Sequence, residues 1–222
     1  MSRDVKPRRR YESPRRREQA AATRLAILEA AEGLFGERGY AGTSVAEIAE
    51  AAGVALKTVY AGFGSKAEVL RALWNLRLRG DEDPLPVQER PWVREVIEEP
   101  DPRRRLALVA RNARVVRERT ALLSEIVRQA APSEAQIAEL WERFQRELYE
   151  LGMRRIAETL ERDGVLATDV ATAADILWTL VHPDQYLLLV RERGWKPDVY
   201  ERWLAEALCR ELLAGCAARR RR

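Results

Sequence analysis

The sequence has very few of the residues on which most enzyme active sites depend. Histidine occurs once in 222 residues, at His182, and cysteine occurs twice. A zinc site made of several histidines is therefore excluded, and a serine triad would depend on His182, which has no catalytic motif around it. A glycine-rich phosphate loop of a recognised spacing is also missing. We predict a protein that is not an enzyme, with no catalytic residue, metal or cofactor.

Long apolar runs are missing too, and the cysteines do not form a framework. No run approaches the roughly 18 apolar residues that a membrane-spanning helix needs, and the arginine-rich start has no hydrophobic signal core. Cys209 and Cys216 stand in a helical pattern at a spacing that puts them on one face, so they cannot pair within a straight helix. These features predict a cytoplasmic protein without a membrane partner.

The charges that are present are distributed unevenly. Up to Gly80 the chain carries 15 basic and 9 acidic residues, whereas the remainder carries 24 and 26. An excess of positive charge in one segment favours binding to a phosphate backbone, because neutralised phosphates release counterions. With 46% apolar residues, the chain is also long and hydrophobic enough for one or two domains with a core.

The basic segment contains a pattern typical of a helix-turn-helix. Ser44 and Glu47 have the spacing of a capping box, in which both side chains satisfy free backbone N–H groups at a helix start. The apolar residues that follow at helical spacing are Val45, Ile48, Ala49 and Ala52. Gly53 then supplies the backbone freedom for a sharp turn. After the turn, Val59 and Phe63 can pack inward. The opposite face is then polar and points outward, which suits the DNA major groove.

Four segments in a fixed order extend this pattern between Leu34 and Leu70: LFGERGY, TSVAEIAEAAGV, KTVY and FGSKAEVL. Together they make residues 24–80 similar to the N-terminal domain of the TetR (tetracycline-repressor-like) family. The resemblance implies an all-α fold, with an N-terminal three-helix helix-turn-helix DNA-binding domain followed by a larger helical domain for ligand binding and dimerisation. Ala55, Ala61 and Gly62 depart from the family pattern, because they offer no side-chain hydrogen bond to DNA.

We predict four segments along the chain. Residues 1–23 form a basic disordered arm, 24–80 the DNA-binding domain, 81–216 the all-helical effector-binding and dimerisation domain, and 217–222 a basic tail. The arm is rich in arginine and broken by prolines, so it cannot bury enough apolar area to fold alone. It is either a solvated tail or an extension that reaches into a neighbouring minor groove.

The helical pattern of the second domain gives three further expectations. Residues 103–116 and 122–127 have the pattern of two successive helices. The capping-box spacing of Ser133 and Gln136 predicts the start of the longest helical pattern of the chain. Residues 186–190 are apolar nearly all round, which predicts burial against a second copy of the chain.

The predicted DNA contacts come from the helix-turn-helix and the helix after it. Lys57 can donate to guanine or to phosphate, Thr58 can meet a base edge or a phosphate, and Tyr60 can donate to phosphate. Ser44 lies at a helix start whose backbone N–H groups can face a phosphate, and Lys66 lies at the start of the following helix. Among these five residues, Lys57 and Tyr60 are the strongest candidates.

Two positions remain open between alternatives. Leu56 has a spacing that suits packing, but the resemblance places it near the side that faces DNA. His182 immediately precedes Pro183, where the chain breaks between two helices, so a structural role in the turn is preferred over a contact with a ligand or a pH-sensitive role.

The resemblance also gives candidates for ligand binding. Asn112, Trp141, Phe144 and Trp178 fall on the helices that surround the effector cavity of the family. An apolar pocket with a few polar groups is the usual form of a small-molecule site. Aromatic residues at helical spacing are more often plain core residues, and that alternative stays open for all three aromatic residues.

The preferred interpretation is a homodimeric DNA-binding transcriptional regulator, a repressor that a small-molecule effector releases from a palindromic operator on double-stranded DNA. One alternative is an activator or a ligand-independent regulator of the same fold. Another is a small-molecule-binding or chaperone-like helical protein without DNA affinity. A steep loss of affinity with rising salt would distinguish a DNA-binding protein from this last class.

Overall fold

The computed structural model of the chain describes residues 14–217, apart from 82 and 84, and these residues fold almost entirely into helices. In chain order they are α1 (Pro14–Arg38), α2 (Val45–Ala51), α3 (Leu56–Phe63), α4 (Lys66–Arg79), α5 (Pro91–Glu98), α6 (Pro102–Ala130), α7 (Ala135–Glu147), α8 (Arg154–Arg162), α9 (Val170–Val181), α10 (Pro183–Tyr186), α11 (Pro197–Leu212) and α12 (Ala214–Ala217). A 3₁₀ turn spans Val87–Glu89, and π-helical turns span Leu148–Met153 and Leu187–Glu192.

Extended pairing has almost no part in this architecture. Among the described residues no strand forms, and Leu166 and Leu213 make an isolated antiparallel bridge. The predicted all-α fold is therefore confirmed. In the same part of the chain, no helix is both long and apolar enough to cross a membrane. The chain divides into two compact units, the first ending at Leu73 and the second beginning at Trp74.

The first unit is organised around the buried face of α1. Ile27, Leu28, Ala31 and Phe35 are at most 2% exposed and stand at helical spacing on α1. The other buried apolar side chains of this unit include Ile48, Ala49, Val59, Val69, Leu70 and Leu73 from α2, α3 and α4. Short helices such as α2 and α3 are marginal alone, so their stability comes from this shared core.

The predicted helix-turn-helix forms as its sequence indicates. The Ser44 hydroxyl oxygen accepts from the Glu47 N–H at 3.2 Å, and the Glu47 carboxylate accepts from the Ser44 N–H at 2.8 Å, which confirms the capping box. Gly53 follows with φ of 66°, a conformation that glycine adopts without strain. At the start of α4, the Ser65 hydroxyl oxygen accepts from the Glu68 N–H at 3.2 Å.

Two polar side chains hold the turn between α1 and α2. Thr43 is 2% exposed, and its hydroxyl donates to the carbonyls of Leu34 and Gly39 at 3.2 and 2.9 Å. The Lys66 ammonium donates to the carbonyls of Tyr40 and Thr43 at 2.8 and 2.9 Å and lies 4.1 Å from the centre of the Tyr40 ring. Lys66 thereby ties the start of α4 to the turn that positions α2.

Helix α1 begins earlier than the sequence predicts. Its first residue is Pro14 rather than Arg24, so residues 14–23 are helical and do not belong to a disordered arm. The reason is local: proline is well suited to a first helical position, and alanine and arginine are strong helix formers. The rest of the predicted arm, residues 1–13, and residues 218–222 of the predicted tail lie outside the described residues.

The second unit is built on α6, α9 and α11. Side chains from these helices that are fully buried include Leu106, Ala110, Ala173, Ala174, Leu177, Leu204 and Leu208. Helix α11 lies against both α6 and α9, and α8 lies against α9. Arg105 on α6 is 3% exposed and donates to the Glu99 carbonyl and the Asp163 carboxylate, which ties the start of α6 to the end of α8.

Helix α6 runs through the break predicted between residues 116 and 122 and is 29 residues long. Two polar residues, Thr120 in this stretch and Ser124 just after it, are buried without disturbing the helix. The Thr120 hydroxyl donates to the Val116 carbonyl at 2.9 Å, and the Ser124 hydroxyl donates to the Thr120 carbonyl at 3.0 Å. Hydroxyls that bond back to their own helix in this way can be buried within it.

The predicted start of the next helix shifts by one residue. Glu134, not Ser133, is the capping residue of α7, and the Ser133 N–H donates to the Ala130 carbonyl at the end of α6. Ser133 therefore closes the preceding turn, and its side chain does not cap α7.

Arg90 fixes the proline-rich connection between α4 and α5. This arginine is 4% exposed, and its guanidinium donates to both oxygens of the Asp81 carboxylate at 2.8 Å. It also donates to the carbonyls of Asp83 and Leu85 at 2.7 and 3.2 Å. The hydrogen bond from Arg90 lowers the pKa of Asp81 below its ordinary value. These bonds hold the connection in one conformation.

Candidate functional site

Helix α3 presents one continuous face to solvent. Leu56 and Tyr60 are 43% and 50% exposed, and Lys57 and Ala61 are exposed beside them. At 3.6 residues per turn these four positions lie on one side of the helix. On the other side, Val59 is 1% exposed. Leu56, whose direction the sequence leaves open, therefore belongs to the outward face.

The chemistry of this face suits a DNA groove. Lys57 can donate to guanine or phosphate, the Tyr60 hydroxyl can donate to phosphate, and Leu56 can contact a thymine methyl. Thr58 is half-buried at the edge of the face. Helix α3 contains no acidic residue that would repel a phosphate backbone.

Ser44 and Lys66 both carry internal hydrogen bonds where phosphate contacts are predicted. The Ser44 hydroxyl and N–H both bond to Glu47, whose carboxylate also pairs with Arg38 at 2.8 Å. The hydrogen bonds from Ser44 lower the pKa of Glu47, so this helix start already holds a negative charge. The Lys66 ammonium has three N–H groups and donates two of them to carbonyls of the α1–α2 turn. Phosphate contacts from Ser44 and Lys66 stay predictions, and Arg38 is an additional cation that was not among the predicted residues.

The second unit contains a cavity of about 460 Å³. Its apolar walls come from the end of α4, from α5 and α6, and from the α7–α8 region, and include Leu78, Trp92, Val93, Val96, Ile97, Val109, Val116, Leu148, Met153 and Ile156. This volume lies in the range of ~300 to 1,000 Å³ typical of small-molecule sites. The cavity is therefore the candidate ligand site of the chain.

Two of the four residues predicted to bind a ligand line this cavity. Asn112 donates its amide N–H to the Trp92 carbonyl at 3.0 Å, so its amide oxygen is fixed in orientation as an acceptor. Phe144 lies at the wall and stacks on Trp74, with 4.5 Å between ring centres. The predicted role of both residues in ligand binding stays a prediction, and their position suits it.

The other two predicted ligand residues are placed away from the cavity lining. Trp141 and Trp178 both lie against the ring of His182, with 6.3 and 4.9 Å between ring centres. The alternative that they are packing residues therefore fits their surroundings better.

A buried arginine at the cavity was not among the residues predicted from the sequence. Arg117 on α6 is 5% exposed, lines the cavity, and donates Nε and Nη2 to the Val181 carbonyl at 3.2 and 3.0 Å. Burial lowers the pKa of Arg117 to about 10, so the side chain stays charged at neutral pH. The sequence does carry a signal, because Arg117 continues the stripe that Leu106, Ala110 and Ala113 form at helical spacing.

His182 has the structural role that the sequence favours. Its Nδ1 accepts from the Asp184 N–H at 3.3 Å, so that it caps α10, and its Nε2 lies 2.6 Å from the Gln145 amide. Burial lowers the pKa of His182 below its ordinary value, so the ring is neutral near pH 7.

Comparison with known proteins gives a family match for the first unit. Residues 27–73 match the model of a family described as bacterial regulatory proteins, tetR family. The HTH-type transcriptional regulator TtgR of Pseudomonas putida is 49% identical over 59 residues. That match spans 27% of this chain and 28% of TtgR, so it covers little more than a quarter of the length of either protein.

The likeness of fold extends over most of the chain. NalD, the secondary repressor of the MexAB-OprM multidrug efflux pump in Pseudomonas aeruginosa, aligns with a TM-score of 0.69 and 25% identity. The alignment covers 89% of this chain and 98% of NalD. FadR from Bacillus subtilis, in complex with stearoyl-CoA, aligns with a TM-score of 0.67 over 84% of this chain and 98% of FadR. At 19% sequence identity, the similarity to FadR is evidence of a shared fold and of nothing further.

Proposed function

Because the chain belongs to the TetR family of bacterial regulatory proteins, we propose that it is a cytoplasmic, homodimeric transcriptional repressor. It binds a palindromic operator through α3 and leaves it when a small-molecule effector enters the cavity of the second unit. The observation that carries the proposal is the outward face of α3, with Leu56, Lys57 and Tyr60 exposed on a helix without acidic residues.

The first unit supports the DNA-binding part of this proposal. Exposed leucine and tyrosine on a short helix are unfavourable in water and can be buried against base methyl groups and the sugar–phosphate backbone. The turn before α2 is fixed by Thr43 and Lys66, so α3 is held on a rigid support. A preorganised helix costs less conformational entropy on binding than a flexible one.

The homodimer follows from the symmetry of such operators. One α3 per subunit reads one half-site, and two-fold symmetry places the half-sites about one helical turn apart, ~34 to 36 Å. The apolar segment 186–190 supports a subunit interface in the second unit through Leu188, which is 47% exposed. Tyr186 and Leu187 of the same segment are buried within the core of their own unit.

The effector part of the proposal rests on the cavity. A ligand weakens DNA binding only through its own preference for a conformation in which the two α3 helices are wrongly spaced. Couplings of this kind are typically ~1 to 3 kcal/mol, and operator DNA must weaken ligand binding by the same factor.

Fluorescence anisotropy tests the proposal. The labelled duplex is the DNA immediately upstream of the reading frame of the protein, and the control is an unrelated duplex of equal length at the same two salt concentrations. We expect a preference of ~10³ or more for the specific duplex and a steep loss of affinity with salt. Salt-independent binding, or none to either duplex, would favour the alternative of a helical ligand-binding protein without DNA affinity. Specific binding that no cavity ligand weakens would favour a ligand-independent regulator.

A further inference from the structure

The cavity of the second unit has an apolar lining with an unequal set of charges. Its charged lining residues are Arg79, Arg117, Arg155 and Glu147. Arg155 and Glu147 are exposed and Arg79 is half-buried, whereas Arg117 is 5% exposed. Of the charges that border the cavity, Arg117 is therefore the one shielded from water.

The hydrogen bonds of Arg117 leave part of its guanidinium unused. Nε and Nη2 both donate to the Val181 carbonyl at the end of α9, which accounts for two of the five N–H groups. Nη1 has no hydrogen bond to any residue in the described part of the chain. The contact with Val181 suits a helix C-terminus, where the backbone favours a cation. That contact accounts for Nε and Nη2 and leaves Nη1 as the free donor of a side chain that lines the cavity.

No carboxylate in the described part of the chain forms an ion pair with Arg117. Asp184 is the acidic residue whose charge acts on it, but this carboxylate lies 3.5 Å from His182 and 3.7 Å from Arg128. Tyr200 also acts on Arg117, yet burial raises the pKa of its hydroxyl to about 12, so the phenol is neutral. A charge buried without a counter-ion is costly, and an anion that enters beside it offsets the cost.

Resting on the proposed function, we propose that the effector is a largely apolar molecule with one anionic group, and that this group pairs with Arg117 inside the cavity. The apolar body lies against Phe144, Trp92 and Ile156, and the anion accepts from Nη1 of Arg117. A carboxylate or sulfonate is the matching group, because guanidinium presents planar donors to such oxygens. Asn112, held by the Trp92 carbonyl, offers an acceptor to a neutral polar group of the same ligand.

Two probes with the same apolar body test this inference. 8-Anilinonaphthalene-1-sulfonate carries a sulfonate, and N-phenyl-1-naphthylamine is the same skeleton without it. Fluorescence titration gives the Kd of each probe for the full-length protein, for Arg117→Met and for Arg111→Met. Arg111 is a matched control, since it is an exposed arginine on the same helix outside the cavity lining.

We expect the wild-type protein to bind the sulfonate at least ~10-fold more tightly than the neutral probe. The reason is that a charge-assisted hydrogen bond in a buried site contributes about that much to the affinity. Arg117→Met should remove that preference by weakening sulfonate binding while leaving the neutral probe within ~3-fold, and Arg111→Met should keep it. A wild-type preference for the neutral probe, or the same preference in Arg117→Met, would overturn the inference. If circular dichroism shows that Arg117→Met is unfolded, the ratio of the two probe Kd values in the wild-type protein tests the inference by itself.

The result is independent of DNA binding. Sulfonate selectivity in a protein that binds no specific DNA would support this inference and count against the proposed repressor. Specific DNA binding by a protein whose cavity prefers the neutral probe would support the proposed repressor and contradict this inference.

Discussion

Lys57 and Lys66, the two lysines of residues 24–80, have opposite surroundings. Lys57 is exposed on the outward face of α3, and Lys66 is half-buried with its ammonium on two carbonyls. An exposed lysine is available to DNA, whereas a lysine bonded to backbone carbonyls stabilises the fold. The two residues should therefore respond differently to substitution.

Substitution of Lys57 should weaken operator binding and change its specificity. Lys57→Ala is expected to cost about 1 to 3 kcal/mol of binding free energy and to relax the preference at one base position. Anisotropy with single-base operator variants measures both effects. A uniform loss across all variants would show that Lys57 contacts phosphate and reads no base.

Substitution of Lys66 should lower stability. Lys66→Met keeps the aliphatic stem but removes the ammonium donor from the carbonyls of Tyr40 and Thr43, and the Tyr40 carbonyl keeps only the Thr43 N–H at 3.3 Å. This loss should cost about 1 to 3 kcal/mol of unfolding free energy. Urea unfolding measures this free energy. Lys57→Met is the control, and its unfolding free energy should stay within about 0.5 kcal/mol of the wild-type value. Equal stability of the two variants would contradict a stabilising role for Lys66.

Single residues also show which features a sequence pattern does not contain. The outward position of Lys57 and Tyr60 follows from helical spacing, because α3 is short and has one buried stripe. The direction of Leu56 and the place of Trp141 and Trp178 depend on how helices pack in three dimensions, which spacing along one helix does not reveal. Arg117 lies among many arginines of α6, and what sets it apart is its burial.

At the scale of elements, the two capping boxes predicted from spacing have different outcomes. The Ser44 box forms at the start of α2, whereas Glu134 replaces Ser133 as the capping residue of α7. The predicted break between residues 116 and 122 and the predicted disordered arm up to residue 23 are wrong, because α6 is continuous and α1 begins at Pro14. Buried hydroxyls of Thr120 and Ser124 bond within α6, and a run of strong helix formers extends α1 over exposed positions.

Two glycines near the end of α3 should respond oppositely to alanine. Gly62 lies inside the helix with open space where the methyl group of an alanine would stand, so Gly62→Ala should raise the unfolding free energy by about 0.5 to 1 kcal/mol. Gly64 has φ of 80°, where a Cβ is strained, so Gly64→Ala should lower it by about 1 kcal/mol or more. Thermal unfolding in the absence of DNA compares the stability of each variant with that of the wild-type protein. The same sign for both would contradict the end of α3 at Phe63.

At the scale of the whole molecule, the homodimer and the operator are one claim, because two half-sites need two copies of α3. The apolar segment 186–190 offers a matched pair of substitutions for the dimer. Leu187 is 7% exposed and lies in the core of its own unit, whereas Leu188 is 47% exposed. The two positions separate loss of assembly from loss of folding.

Leu188→Glu should leave the subunit folded and shift the protein from dimer to monomer, since the new charge is tolerated in water and costly in an interface. Leu187→Glu should instead lower the unfolding free energy by several kcal/mol, on the order of 3 to 5, because it buries a charge within the unit. Sedimentation velocity and circular dichroism measure mass and folding. A dimer of unchanged strength in Leu188→Glu would place the interface elsewhere.

The most direct test of site-specific DNA binding by a homodimer is selection of bound DNA from a random duplex library, followed by sequencing. We expect an enriched inverted repeat whose half-site centres lie about one helical turn, ~34 to 36 Å, apart. The enrichment should disappear with Lys57→Ala and Tyr60→Ala combined. No enriched sequence, or a single motif without two-fold symmetry, would contradict a homodimeric, site-specific DNA-binding protein.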